Sequence, residues 1–332
     1  MRFLLDTEQR AFATSLDAML RSADTPSAVR AWAGGDHGPG RALWSRLADA
    51  GVFALAVPEG YEGVGPLPVE LAVAFVELGR HAVPGPVVET VAAAVLLGEL
   101  DASGEPGPAE RLLPGLASGK GVATLVRAGG YALDADAATV LLAVDGDALR
   151  LAPGHGPVRA STDPARRLAR PETGGELLAA GPLVTRAADR ALAWARLATA
   201  AQALGVGLAL LDRTVEYARR RTQFGVPIGS FQAVKHRLAD AMIALEFVRP
   251  LLFGAALSMA PGDVAAAKVT AGEAGYAMAR TALQLHGAIG YTAEYDLSLW
   301  FTRARALRTA WGTPAECRAE ALAGLSGARP RS

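Results

Sequence analysis

Two stretches of this 332-residue chain carry side chains suited to holding an anionic cofactor. The first is Tyr217-Ala218-Arg219-Arg220-Arg221-Thr222-Gln223-Phe224-Gly225-Val226-Pro227-Ile228-Gly229-Ser230-Phe231-Gln232. A helix end loaded with arginines runs into a Gly/Pro loop, and a new helix follows with Ser230 as its expected cap. Guanidinium groups beside free backbone N–H groups suit a diphosphate, because both donate hydrogen bonds to oxyanions. The same arginines would also serve, with no ligand at all, to neutralise the carboxyl end of a helix. The second stretch is Gln284-Leu285-His286-Gly287-Ala288-Ile289-Gly290-Tyr291-Thr292-Ala293-Glu294-Tyr295. Glycines after a long helix let backbone approach a ligand closely, and Gln284 offers both a donor and an acceptor. Read alone, this stretch is an ordinary helix end with a turn, and His286 is a packing histidine.

Long helices must position both stretches. Thr185–Arg220 has almost no breaker except Gly205 and Gly207. Phe231–Ala256 places Leu238, Met242, Leu245 and Val248 at helical spacing, and Pro250 is expected to kink or interrupt it. Val264–Gly287 and Leu297–Leu307 complete four long helices in series, the pattern of a bundle. The first third reads as shorter helices. Asp6 and Gln9 form a capping box ahead of Phe12, Leu16 and Leu20, and further helices cover Arg41–Ala50, Leu71–Gly79 and Val87–Leu100. Val57–Gly65 is a glycine-rich loop. After Ser103–Pro108 the pattern turns to short strands at Val122–Val126, Thr139–Val144 and Ala148–Leu151, the last two joined by Asp145-Gly146-Asp147. This region is too small for a complete barrel or sandwich. The expectation is a mainly α protein with an N-terminal helical domain over 1–118, a reduced middle β-domain over 119–183 and a C-terminal four-helix domain over 184–328.

Composition removes several function classes. Basic and acidic residues balance at 33 each, so nothing electrostatic points to nucleic acid or an anionic membrane. The one cysteine, Cys317, forms no internal disulfide or thiolate cluster, and no metal site is expected. Met1–Asp6 is too short an apolar run for a signal peptide, and no run approaches the roughly 20 uninterrupted apolar residues of a membrane span. A cytoplasmic protein is the expectation.

Taken together, Arg-x-x-Phe-Gly-x-x-Ile-x-x-Phe-Gln from Arg221 and Gln-x-His-Gly-x-x-Gly-Tyr from Gln284 resemble the C-terminal helical domain of acyl-CoA dehydrogenases. Asp6-Thr7-Glu8-Gln9, Val57-Pro58-Glu59-Gly60 and Glu77-Leu78-Gly79-Arg80 are similar to that family's N-terminal domain. Asp163-Pro164-Ala165-Arg166-Arg167-Leu168 resembles the end of its β-domain. The resemblance implies FAD as cofactor and an acyl-CoA, or an acyl-carrier thioester, as substrate. It implies loss of an α-proton to a carboxylate base and of a β-hydride to the flavin. It further implies that Arg221, Gln223, Phe224, Gln232, Gln284, Gly287 and Gly290 bind the nucleotide half of an FAD held mainly by a neighbouring subunit.

Three departures accompany the likeness. The family's usual base is the Glu of a Tyr-Glu-Gly-Thr motif, and the matching stretch here is Ala310-Trp311-Gly312-Thr313. Indole cannot take a proton. The alternative base position, just before an arginine early in the long helix, corresponds to Ala195 before Arg196. The family's Thr-Glu-Pro-x-x-Gly-Ser-Asp segment, which holds the flavin ring, has no counterpart between Leu125 and Leu177. The expected role is therefore the short subunit of a two-chain acyl-CoA dehydrogenase, of the kind acting on steroid side chains, paired with a full-length subunit that supplies base and ring site. Exposed apolar faces on the last helices would drive association. The alternatives are a self-sufficient enzyme with its base relocated to Glu246 or Glu216, and a scaffold that has lost FAD.

Overall fold

A computed structural model describes residues 4–292 and 294–327. The first three residues, Ala293 in the second stretch, and residue 328 at the expected end of the last domain lie outside them. Among the described residues there are eleven α-helices: α1 Thr7–Arg21, α2 Thr25–Ala33, α3 Gly38–Asp49, α4 Pro68–Arg80, α5 Val87–Ala102, α6 Gly107–Ala117, α7 Pro182–Arg220, α8 Gln232–Ser258, α9 Pro261–His286, α10 Leu297–Thr309 and α11 Pro314–Gly327. Eight short strands accompany them: β1 Ala123–Arg127, β2 Ala132–Leu133, β3 Val140–Asp145, β4 Ala148–Leu151, β5 Leu168–Ala169, β6 Glu176–Ala180, β7 Thr222–Gln223 and β8 Val226–Pro227. The chain divides into two compact units.

One unit gathers Met1–Pro26, Ala72–Ala82 and Arg196–Ser332. Its entry is the predicted capping box: Asp6 Oδ1 accepts from the Gln9 N–H at 2.8 Å, and Gln9 Oε1 accepts from the Asp6 N–H at 3.1 Å. The core is set by close approach of helix backbones. A Cβ on Gly205 would lie 1.9 Å from the Val76 carbonyl oxygen, and one on Gly79 would lie 2.2 Å from that of Gln202. Only hydrogen fits between α7 and the end of α4 at these crossings. Along α9, Gly275 meets the Ala203 carbonyl in the same way, at 2.8 Å. α9 also packs against α8, α10 and α11.

Two helices, α7 and α8, are long and apolar enough to cross a membrane by length and composition. The apolar window of α7 is wholly buried inside the protein, which is what a helix hydrophobic on every side requires. α8 buries only one face, through Leu245, Val248, Leu252 and Phe253. Its other face leaves Met242, Ile243, Phe247, Leu251 and Leu257 exposed, Phe247 by 68%.

Two local expectations are corrected. Pro250 lies inside α8 without ending it. Proline removes one donor, and Glu246, whose carbonyl would have received it, is exposed to water that can replace it. Ser230 is not the cap of α8. The helix starts after Phe231, and the Ser230 hydroxyl donates back to the Pro227 carbonyl at 2.7 Å, closing a 3-10 turn over Ile228–Ser230. The helix α11 adds a fifth element after the four long helices. Its start is a further capping pair, in which Glu316 Oε2 accepts from the Thr313 N–H at 2.7 Å.

The second unit gathers Ser27–Leu71 and Val83–Ala195. α5 is buried almost all round and is tied to β1 by Thr90, whose hydroxyl donates to the Ala123 carbonyl at 2.8 Å. The sheet runs in the order β1-β3-β4-β6, with β1 parallel to β3 and the other pairs antiparallel. The β3–β4 hairpin forms at the predicted Asp-Gly-Asp turn, where Gly146 has φ 59°. β2 and β5 form a separate pair. Val126, Ala132, Ala135, Leu141, Ala152 and Ala169 make a small core between these strands.

Asp134 is wholly buried in this unit. One carboxylate oxygen accepts from the Arg167 N–H at 3.0 Å. Burial pushes its carboxyl up to about 7 from 3.8, against the backbone hydrogen bond that favours the ion. The folded state therefore holds a proton that the unfolded chain releases, and stability falls as pH rises from about 4 to about 7. In Asp134→Asn this loss, on the order of 1–4 kcal/mol, should vanish from the pH profile of urea midpoints. An unchanged slope would place the proton elsewhere.

Candidate cofactor-binding site

The two signature stretches meet at one end of the helices α7, α8 and α9. α7 ends at Arg220, and β7 and β8 then form a tiny hairpin whose turn is Phe224-Gly225. Both turn residues have positive φ, 53° and 79°, the combination a two-residue hairpin needs. For phenylalanine this backbone is strained, and its ring is 93% exposed. The ring meets Phe231 edge-on, with centroids 6.3 Å apart. Arg221, Gln223 and Gln232 are exposed around this turn. Among the described residues the Arg221 guanidinium has no hydrogen bond or ion pair, whereas Arg220 is paired with Glu216 at 2.5 Å.

His286 joins the second stretch to the first. It is 5% exposed, and its ring stacks on Tyr217 at 4.1 Å between centroids. Nδ1 is 2.8 Å from the Ala282 carbonyl oxygen, which makes it the donor. Burial lowers the imidazole pKa despite that bond, so the ring is a neutral packing group, as its sequence context implies. Gln284 is exposed, and its side-chain oxygen accepts from Arg237 of α8. That arginine was not apparent in the sequence, because only the packing of α8 against α9 brings it to Gln284. Gly287 caps α9 at φ 64° and is exposed with open space about it. Gly290 is buried, and a Cβ there would press on Leu283, His286 and Phe301 at 3.2–3.4 Å.

The loop after α10 is clamped from beneath. Lys268, 1% exposed, donates from Nζ to the carbonyls of Leu307, Arg308 and Gly312 at 3.1, 3.3 and 3.5 Å. Arg196 donates from Nε to the Trp311 carbonyl at 3.0 Å and from Nη1 to Glu320. Trp311 itself is half-buried, with φ 58°. The carboxylates beside this loop are engaged: Glu320 with Arg196, and Glu316 with Thr313, whose N–H and hydroxyl hold the Glu316 pKa down. Neither is poised to receive a proton. Glu216 and Glu246 are exposed and ion-paired, with Arg220 and Arg249 respectively. Ala195 is buried in α7.

Comparison with known proteins shows the family. The sequence description of the acyl-CoA dehydrogenase N-terminal domain matches residues 6–120, and that of the C-terminal domain matches residues 185–321. Acyl-CoA dehydrogenase IpdE2 of Mycobacterium tuberculosis is 36% identical over 282 residues, covering 84% of this chain and 85% of the relative. This chain is an acyl-CoA dehydrogenase family member. Among solved structures, a variant of the Tcur3481-Tcur3483 steroid ACAD superposes with TM-score 0.81 at 26% identity, over 96% of this chain and 98% of the other. The ChsE4-ChsE5 complex from Mycobacterium tuberculosis does so with TM-score 0.81 at 24% identity, over 99% and 100%.

Acyl-CoA dehydrogenases use FAD, and the exposed groups around the Phe224-Gly225 turn are chemically suited to an anionic, aromatic ligand. An unpaired guanidinium, an exposed aromatic on a strained turn and an open glycine backbone present donors and a stacking face outward.

Proposed function

We propose that this chain is the catalytically incomplete subunit of a two-chain acyl-CoA dehydrogenase. The observation that carries the reading is an asymmetry. Arg221, Gln223, Phe224, Gln232 and Gly287, which would face the nucleotide half of FAD, are exposed, and the Arg221 guanidinium is unpaired among the described residues, whereas the family's base position holds Trp311 in a loop whose neighbouring carboxylates are already bonded. In the assembled enzyme Arg221 and Gln223 donate to the diphosphate, Phe224 stacks on the nucleotide half, and Gln284, aligned by Arg237, bonds beside them. The flavin, when bound, accepts a hydride from the β-carbon of an acyl thioester on CoA or a carrier protein. The full-length partner supplies the base and the ring pocket. A family member whose name joins two chains and a steroid supports both the pairing and a steroid or lipid acyl group. The apolar face of α8 supports association, because leaving Phe247 and its neighbours in water costs roughly 25 cal/mol per Å².

The test is co-expression with a full-length acyl-CoA dehydrogenase subunit from the same genome, against this chain alone. The complex should carry flavin absorbance and reduce an electron acceptor with acyl-CoA, and the isolated chain should do neither. A homo-oligomer of this chain that holds one FAD per subunit and turns over acyl-CoA refutes the proposal. Complexes colourless in every combination would point to a scaffold.

A further inference from the structure

A cluster of ligand-type side chains lies apart from the cofactor-binding residues, between α1 and the end of α4. Asp17, Glu77 and His81 each bring one ligand atom to within 4.8 Å of the others. Glu77 and His81 are one helical turn apart, with the His81 N–H bonded to the Glu77 carbonyl at 3.1 Å, so their side chains share a face. Asp17 meets them from α1, its Oδ1 2.9 Å from His81 Nε2. Glu77 Oε2 is shut from water and has no hydrogen-bond partner among the described residues. Its nearest cationic group, Arg80 Nε, is 3.7 Å away. A buried carboxylate oxygen left in this state costs free energy that a proton or a cation would recover.

We propose that Asp17, Glu77 and His81 form a divalent-cation site. Two carboxylate oxygens and an imidazole nitrogen suit a first-row ion of the zinc or manganese kind, and the set has no sulfur to favour copper(I). The surroundings supply the second layer that such sites need. Arg21 Nε holds Asp17 Oδ2 at 2.9 Å, which fixes the carboxylate and leaves Oδ1 turned to His81. Arg80 is shared: its Nη2 donates to Asp212 at 2.8 Å, and its Nε stays ion-paired with Glu77 Oε2 at the longer distance of 3.7 Å. A cavity of 440 Å³ lined by Asp17, Arg80, His81, Asp212, Arg213 and Glu216 gives an entry path and room for water to complete the coordination. Arg21, Arg80 and Arg213 oppose the ion's charge, and Asp212 and Glu216 offset them across that cavity. Binding replaces the Asp17–His81 hydrogen bond by two bonds to the ion, with His81 neutral and its proton on Nδ1.

Zn²⁺ is the probe. Protein stripped with chelator is dialysed against buffered Zn²⁺, and bound metal is counted by atomic emission, with a thermal melt taken with and without the ion. One equivalent per chain and an upward melting shift are expected. His81→Ala and the near-isosteric Glu77→Gln should each weaken binding by about tenfold or more. His236→Ala, on the exposed side of α8, should change nothing. Absence of stoichiometric Zn²⁺ in the native chain overturns the site. So does unaltered uptake by a Glu77→Gln protein whose melt in chelator matches the native one, or equal loss in His236→Ala. The readout is metal content, so it stands whether or not the chain is the incomplete subunit.

Discussion

Gly205→Ala should destabilise the protein by about 3 kcal/mol or more. The added Cβ would sit 1.9 Å from the Val76 carbonyl oxygen and 2.8 Å from the Arg80 N–H. Both are backbone atoms, so no side chain can rotate away, and α7 and α4 must part. Alanine contributes about 1 kcal/mol of helix propensity over glycine, which offsets only a fraction of the clash. Gly98 in α5 is the control. A Cβ there meets only the Pro58 ring, at 3.4 Å. Gly98→Ala should thus be neutral or slightly stabilising. Urea midpoints of the two variants measure the difference. A Gly205→Ala protein as stable as the native one would mean that the helices do not touch at this crossing.

Arg221→Ala, made in the co-expressed complex, should weaken FAD retention by about 10- to 100-fold, the equivalent of one lost charge-assisted hydrogen bond of about 1.5–3 kcal/mol. The residue is exposed, and among the described residues has no partner within the chain. Its loss should leave the melting temperature of the isolated chain unchanged. Arg220→Ala makes the discriminating comparison, since Arg220 is engaged with Glu216. Flavin release measured by fluorescence after dilution separates the two. Equal retention in native and Arg221→Ala complexes would remove Arg221 from the cofactor site and leave it as a helix-end charge.

Both predictions use positions that the sequence marks without explaining. Gly205 and Gly207 stand out as breaks in an otherwise helical run, and only the packed helices show that one of them sits against a carbonyl oxygen. Helical periodicity reports which residues are apolar, and does not report how closely two axes approach. The fate of Pro250 has the same origin. A propensity rule anticipates a kink or a break, and the break does not occur, because tertiary contacts through Leu245, Val248, Leu252 and Phe253 hold α8 together past it.

The sequence by itself determined the mainly helical plan, the short strands with their Asp-Gly-Asp turn, and the family. Each of these is written in residue type and local spacing, which fold topology does not alter. Tertiary structure alone decided what the polar groups do. It joined Gln284 to Arg237, stacked His286 on Tyr217, fixed Glu320 on Arg196 and drew Asp17 to His81. Those partners are far apart along the chain, and hydrogen bonds and charges act over a few ångströms of space rather than over sequence distance.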